Sequence, residues 1–192
     1  KTASDRSYAL SAKLMAGLIK YRVEFGARAL ERETVLHTAQ DIVCGDAYLI
    51  DGQSNALATD TNADAPRVTH EWVRSYTRPR HFREGEEQNL WCKPVWKAGK
   101  EHQAELGWWG MELSKRLVES QQVPIFMING AAGGTRIDQH QRNEADPTDL
   151  STIYGRMLWR VRAAKLTHGI RAILWQQGEN DQGAASPDGG YG

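Results

Sequence analysis

Residues 47–55 read Ala47-Tyr48-Leu49-Ile50-Asp51-Gly52-Gln53-Ser54-Asn55. Four apolar residues without alternation run straight into a polar turn that contains a glycine. Two other stretches have the same form. Val123-Pro-Ile-Phe-Met-Ile128 leads into Asn129-Gly-Ala-Ala-Gly-Gly-Thr-Arg136, and Ile170-Arg-Ala-Ile-Leu-Trp175 leads into Gln176-Gln-Gly-Glu-Asn-Asp181. Continuous apolar runs this short suit strands covered on both faces, as in a parallel sheet. Between the second and third runs, Leu150, Ile153, Met157 and Val161 recur at helical spacing. Thr148 or Asp149 would cap that helix, and Gly169 lies beyond its end. Ahead of the second run, Leu106, Trp109, Leu113 and Leu117 repeat the spacing. Strands alternating with helices predict an α/β domain with right-handed crossovers.

Outward from this region the pattern changes. Ile19, Tyr21, Val23 and Phe25 alternate with Lys20, Arg22 and Glu24, the period of a half-buried strand in an antiparallel sheet. Residues 1–40 therefore read as the tail of a β-rich module and 41–192 as the start of the α/β domain. Residues 56–103 show no clear period and read as long loops with short helices.

Composition narrows the function classes. The chain has 192 residues, with 24 Lys+Arg against 24 Asp+Glu, so its formal net charge is zero. That removes the bulk electrostatic case for nucleic acid or an anionic membrane. With 40% hydrophobic and 25% charged residues the mixture is that of a globular protein, and no apolar run is long enough to span a bilayer. Cys44 and Cys92 make neither a disulfide scaffold nor a zinc site, and their spacing leaves a single bridge open.

In open α/β sheets ligands bind beyond the carboxyl ends of the strands, so the three turns are expected to share one edge. Each supplies a different part of an acyl-transfer site. Ser54 follows a strand and a glycine, where a hydroxyl projects into the crevice; as a nucleophile it needs a neighbouring base. Gly133-Gly134 lets the backbone approach a ligand closely and offers N–H groups to a developing oxyanion. Gln177 adds a side-chain amide donor. Taken singly, a Gly-x-Ser segment is a common turn, a glycine pair a common loop and a glutamine a common core amide. Their joint placement favours the functional reading.

Gly52-Gln-Ser-Asn55, Gly133-Gly-Thr-Arg-Ile137 and Trp175-Gln-Gln-Gly-Glu-Asn-Asp181 together resemble the first three blocks of the SGNH hydrolases, in the branch of sialate O-acetylesterases and related carbohydrate acetyl esterases. The resemblance covers residues 40–185. It implies a flavodoxin-like three-layer sandwich around a parallel sheet, incomplete in this chain and preceded by a β-rich module. It also implies Ser54 as nucleophile, an oxyanion hole from the Ser54 N–H, an N–H of Gly133 or Gly134 and Gln177, and no cofactor or metal. Asn55, Arg136 and Glu179 beside the turns would bind substrate or brace the loops. Ala56 and Asn180 stand where Met and Ser or Ala are usual in that branch.

The branch takes its base from an Asp-x-x-His motif after the third block, and none of the six histidines follows residue 181. Asp138-Gln-His140 has the wrong spacing, and His168 falls on the side opposite the active edge. The expectation is thus an N-terminal piece ending in the glycine-rich Asp188–Gly192 stretch, with a C-terminal fragment or second chain supplying Asp and His. The start at Lys1 reads as a mature or trimmed product, which goes with a secreted or periplasmic protein. The expected activity is serine-esterase removal of acetyl groups from carbohydrate, such as acetylated xylan or sialic acid. The competing class is a carbohydrate-binding module without turnover.

Weaker signals complete the reading. Asp60-Thr-Asn-Ala-Asp64 with Glu71 mimics calcium-loop ligands, but Ala65 stands where such a loop needs glycine. Arg74, Arg78, Arg80, His81 and Arg83 form a basic run that Glu84, Glu86 and Glu87 cancel at once. Trp91, Trp96, Trp108 and Trp109 offer flat surfaces for sugar rings or anchors for loops.

Overall fold

Two kinds of sheet arise from the two kinds of pattern. The computed structural model describes residues 9–30, 32–60, 70–76, 91–99 and 103–181. The Asp60–Asp64 motif beyond Asp60, the run Arg78–Glu87, His102 and the Asp188–Gly192 stretch lie outside them.

The alternating segment falls in β1 (Gly17–Ala29), which pairs antiparallel with β2 (Arg32–Cys44). Tyr21 and Phe25 are half-buried, whereas Ile19 and Val23 are exposed. β2 carries no readable alternation, because its adjacent Val35 and Leu36 both face solvent. The ladder to β1 holds it, with register shifts along the pairing that mark bulges. β2 then passes through Gly45 into β3 (Asp46–Gly52).

Helix α1 (Ser54–Leu57) follows β3 directly. After it come β4 (Val73–Tyr76), β5 (Trp91–Cys92), a small parallel pair β6 (Pro94–Val95) and β7 (Ala104–Glu105), and helix α2 (Trp108–Gln121). β8 (Ile125–Asn129), α3 (Ile153–Ala163) and β9 (Ile170–Gln176) complete the described elements, with 3-10 turns at Ile137–His140 and Glu179–Asp181. Among the described residues the main sheet has five strands in the order β5-β4-β8-β3-β9, all parallel except β5.

The fold is α/β, as the strand–helix alternation predicted. β4 and β5 correct the reading of residues 56–103 as loops and helices, because strands of four and two residues are too short to show a period. α3 is capped by Thr152, whose Oγ1 accepts the Gly155 N–H at 2.9 Å, and not by Thr148 or Asp149. Asp149 is spent on the turn ahead, where its Oδ1 accepts the Ser151 N–H.

Helices cover both faces of the sheet. Tyr48 and Ile50 of β3 pack with Met127 against Met111 and Val118 of α2. Leu49 and Ile128 point the other way, onto Val161 of α3 and the adjoining Ala164. Gly110 lets α2 close down on β3, since a Cβ there would sit 2.9 Å from Ile50 Cδ1. β9 departs from the reading of runs covered on both faces. Among the described residues it is the sheet edge, bonded only to β3, and Ile173 is 61% exposed.

Candidate active site

The three turns meet at the carboxyl edge of the parallel strands and are tied by main-chain bonds. Ala132 N–H donates to Gly52 O at 2.9 Å, and Gln53 N–H donates to Gln176 O at 3.1 Å. The close approach of β9 explains Gly52: its φ is +132°, and a Cβ would lie 1.9 Å from Gln176 O. Gln53 is buried, and its Oε1 accepts the Asn180 N–H at 3.2 Å. Asn129 is buried as well, donating to Ala56 O and Leu106 O while its Oδ1 accepts the Ala131 N–H. Sequence reasoning passed over Gln53 and Asn129 as braces; Asn129 closes a buried apolar run, which was its signal, and Gln53 had none beyond its place in the first turn.

Ser54 opens α1 and is exposed between buried Gln53 and Ala56. As the first helical residue it has an N–H with no partner in its own helix. Gly133 lies against it, since a Cβ on Gly133 would be 3.8 Å from Ser54 Cβ. Gly134 takes φ +76° and faces open space, so this turn needs a residue that accepts the left-handed region. Gln177 Nε2 donates to Thr135 O at 3.0 Å, which ties the third turn to the second. Its Oε1 is buried without a partner among the described residues.

Asn55 and Glu179 brace the first turn against the third. Asn55 Nδ2 donates to Glu179 Oε1, which also accepts from Gln176 Nε2 at 2.7 Å. These two donors, Gln176 first, hold the Glu179 carboxyl below the usual glutamate range. Arg136 makes a local pair with Asp138 at 2.6 Å, each partner about half exposed; the guanidinium lowers the Asp138 pKa and is itself pushed up.

Beside Asn55 a cleft of about 560 Å³ is lined by Trp108, Trp109, Trp175 and Gln176 among others. Trp109 Nε1 donates to Asn55 O at 2.8 Å. Trp96 packs on the core instead, and Trp91 contacts Tyr76 and Phe126 edge-on. Cys44 and Cys92 are free thiols, and burial pushes the Cys92 thiol up. Among the described residues no three His, Cys, Asp or Glu side chains converge as metal ligands, and no described helix is long and apolar enough to cross a membrane.

The described histidines are spread over the molecule. His37 is on β2, His70 precedes β4, and His168 is exposed at the start of β9, the end of that strand away from Ser54. His140 alone among them lies buried behind the turns. Its Nε2 is 2.8 Å from Thr135 Oγ1, and its Nδ1 faces Asp51 Oδ1 at 3.5 Å.

A family model described as carbohydrate esterase, sialic acid-specific acetylesterase, matches residues 44–191. No curated protein matches the chain. Among solved structures it is similar to a protein from Arabidopsis thaliana, at 20% identity over 71% of this chain and 58% of that one, with a TM-score of 0.47. It is also similar to a carbohydrate acetylesterase from Xanthomonas citri, at 19% identity over 78% of this chain and 36% of that one, with a TM-score of 0.43. The match thus takes in less than two thirds of either protein. The family model reaches from the end of β2 through all three turns around Ser54, and the chain belongs to that carbohydrate esterase family of the sialic acid-specific acetylesterase type.

Proposed function

We propose that this chain carries the nucleophile and oxyanion hole of a serine esterase that removes O-acetyl groups from carbohydrate. The observation that carries the reading is the contact of the Gly133 turn with exposed Ser54 at the sheet edge. Ser54 Oγ bonds to the acetyl carbonyl carbon as its proton passes to a base. The carbonyl oxygen becomes the tetrahedral oxyanion, held by the Ser54 N–H, an N–H of Gly133 or Gly134 and the second N–H of the Gln177 amide. Collapse breaks the bond to the sugar oxygen, which takes the proton from the base. Water then attacks the acetyl-enzyme and releases acetate. Each oxyanion donor is worth about 3–4 kcal/mol of barrier.

The base lies outside this set of residues in the proposal. His140 has its Nε2 engaged at Thr135, and an Asp-x-x-His segment from further sequence or another chain would supply the Asp and His. The flat faces of Trp108 and Trp109 beside Asn55 suit a pyranose ring, which favours carbohydrate over lipid esters. Asn55 and Glu179 hold each other, and they serve as loop braces. Arg136 does so with Asp138.

Hydrolysis of p-nitrophenyl acetate by the wild type and by Ser54→Ala tests the reading. A loss of at least about 10³-fold in the variant is expected. Equal rates would leave the alternative, a carbohydrate-binding module without turnover.

A further inference from the structure

Asp51 and His140, both buried, and half-buried Thr135 form a polar set behind the site, and the steps above use none of them. Asp51 lies in the buried part of β3, three residues before Ser54, and its Oδ1 accepts the Gly52 N–H at 2.8 Å. Thr135 belongs to the turn that carries Gly133 and Gly134. His140, 8% exposed, lies between them, with the Trp175 ring edge-on at 5.3 Å.

The hydrogens do not suffice for every contact when the ring is neutral. Thr135 Oγ1 is 2.6 Å from Ala132 O and 2.8 Å from His140 Nε2. A hydroxyl has one proton and a carbonyl only accepts. When Thr135 donates to Ala132 O, Nε2 must carry a hydrogen and donate to Oγ1. In a neutral ring that leaves Nδ1 as a bare acceptor turned toward the Asp51 carboxylate. Nδ1 is in fact buried without a hydrogen-bond partner among the described residues, and 3.5 Å is too long for a firm bond. The other neutral tautomer donates from Nδ1 toward Asp51, but then Thr135 must donate to Nε2 and release Ala132 O. A hydrogen on Nε2 is therefore what serves Thr135 and, through Thr135, Ala132 together.

We infer that Thr135 is a positioning residue: its hydroxyl, held by His140 Nε2, ties down Ala132 O and so keeps Gly133 and Gly134 beside Ser54. The inference rests on the esterase reading above. Charged groups on the neighbouring elements have partners of their own. Arg136 and Asp138 on the turn of His140 pair with each other. On α3, Arg156 donates to Leu150 O and Ser151 O, and Arg160 to Asn129 O and Tyr76 O. Asp181 on the third turn accepts the Ile137 N–H through Oδ1, and its Oδ2 is buried without a partner among the described residues. Asp51 Oδ1 faces the ring at Nδ1.

The test compares wild type, Thr135→Val, Thr135→Ser and Ser54→Ala in the complete protein. Thr135→Val keeps the shape and deletes the hydroxyl. It is expected to lower kcat about tenfold with KM within about twofold. Thr135→Ser restores most of that loss. An unchanged kcat in Thr135→Val, or a loss carried by KM, overturns the inference. Wild-type activity no higher than that of Ser54→Ala would instead remove the esterase reading. In that event hydrogen exchange at the Gly133, Gly134 and Thr135 amides, corrected for intrinsic rates, decides the matter: faster exchange in Thr135→Val supports the brace, and equal protection contradicts it.

Discussion

β3 and β9 lie side by side, parallel and bonded from Ala47↔Ile170 to Gly52↔Gln176, and both read in the sequence as continuous apolar runs. Ile50 of β3 is 0% exposed, however, whereas Ile173 of β9 is 61% exposed. β3 has β8 on one side and β9 on the other, with α2 and α3 over its faces. Among the described residues β9 has one neighbour. An apolar run states what environment a strand requires, and its place in the sheet order determines which neighbours meet that requirement. The two strands nevertheless end in turns that are bonded to each other, so the site stands where the sealed and open parts of the sheet join.

The sharpest way to break this comparison is at the junction itself. Gly52→Ala would place a Cβ 1.9 Å from Gln176 O and 3.0 Å from Ala56 Cβ. The obstacle is a main-chain carbonyl, which no rotamer change can move, so a loss above about 4 kcal/mol is expected in urea unfolding. Next comes the contrast between the strands. Ile50→Ala should cost about 2–5 kcal/mol and Ile173→Ala under about 0.5 kcal/mol. Equal losses would contradict the difference drawn between them. If a further strand covers β9 in the complete protein, the cost of Ile173→Ala there rises toward that of Ile50→Ala. Thr152→Ala removes the cap of the helix that covers the Leu49 face, and about 1 kcal/mol is expected, read as a shift of the unfolding midpoint.

The smallest effect is a pH dependence at the Asn55–Glu179–Gln176 bridge, which joins the turn after β3 to the end of β9. Glu179 has its pKa lowered in the folded protein by the Gln176 and Asn55 amides. Its contribution is therefore fully present above the ordinary glutamate value, and it is lost as pH falls through the lowered one. Glu179→Gln should flatten that acid limb of the stability curve slightly, because the group is exposed and screened. An unchanged limb would show that the bridge does not couple the two turns.

The parts of the fold legible in the sequence are those built on local pattern. Three apolar runs, each ending in a polar turn, located β3, β8 and β9, and helical spacing located α2 and α3. β2 was not legible, because its exposed Val35 and Leu36 break the alternation and only pairing with β1 makes it a strand. β4 and β5, of four and two residues, are too short to repeat a period. In the site, the sequence separately indicated Ser54, the glycine pair and Gln177, and the structure ties their turns together. The Asp51–His140–Thr135 set was invisible, because Asp51 and His140 meet only when the second turn folds back beneath β3. Asn55 and Glu179 were legible singly, as loop braces or substrate contacts, but not the pairing of their side chains across 124 positions of chain.

The central claim is that Ser54, with the Gly133–Gly134 turn against it, releases acetate from an acetylated carbohydrate. Acetate release from acetylated xylan oligosaccharides and from O-acetylated sialic acid, by the complete wild-type protein and by Ser54→Ala side by side, tests it most directly. The account predicts release from at least one of these by the wild type and a loss of at least about 10³-fold in the variant. Equal release by the two proteins, or none by either, would contradict it.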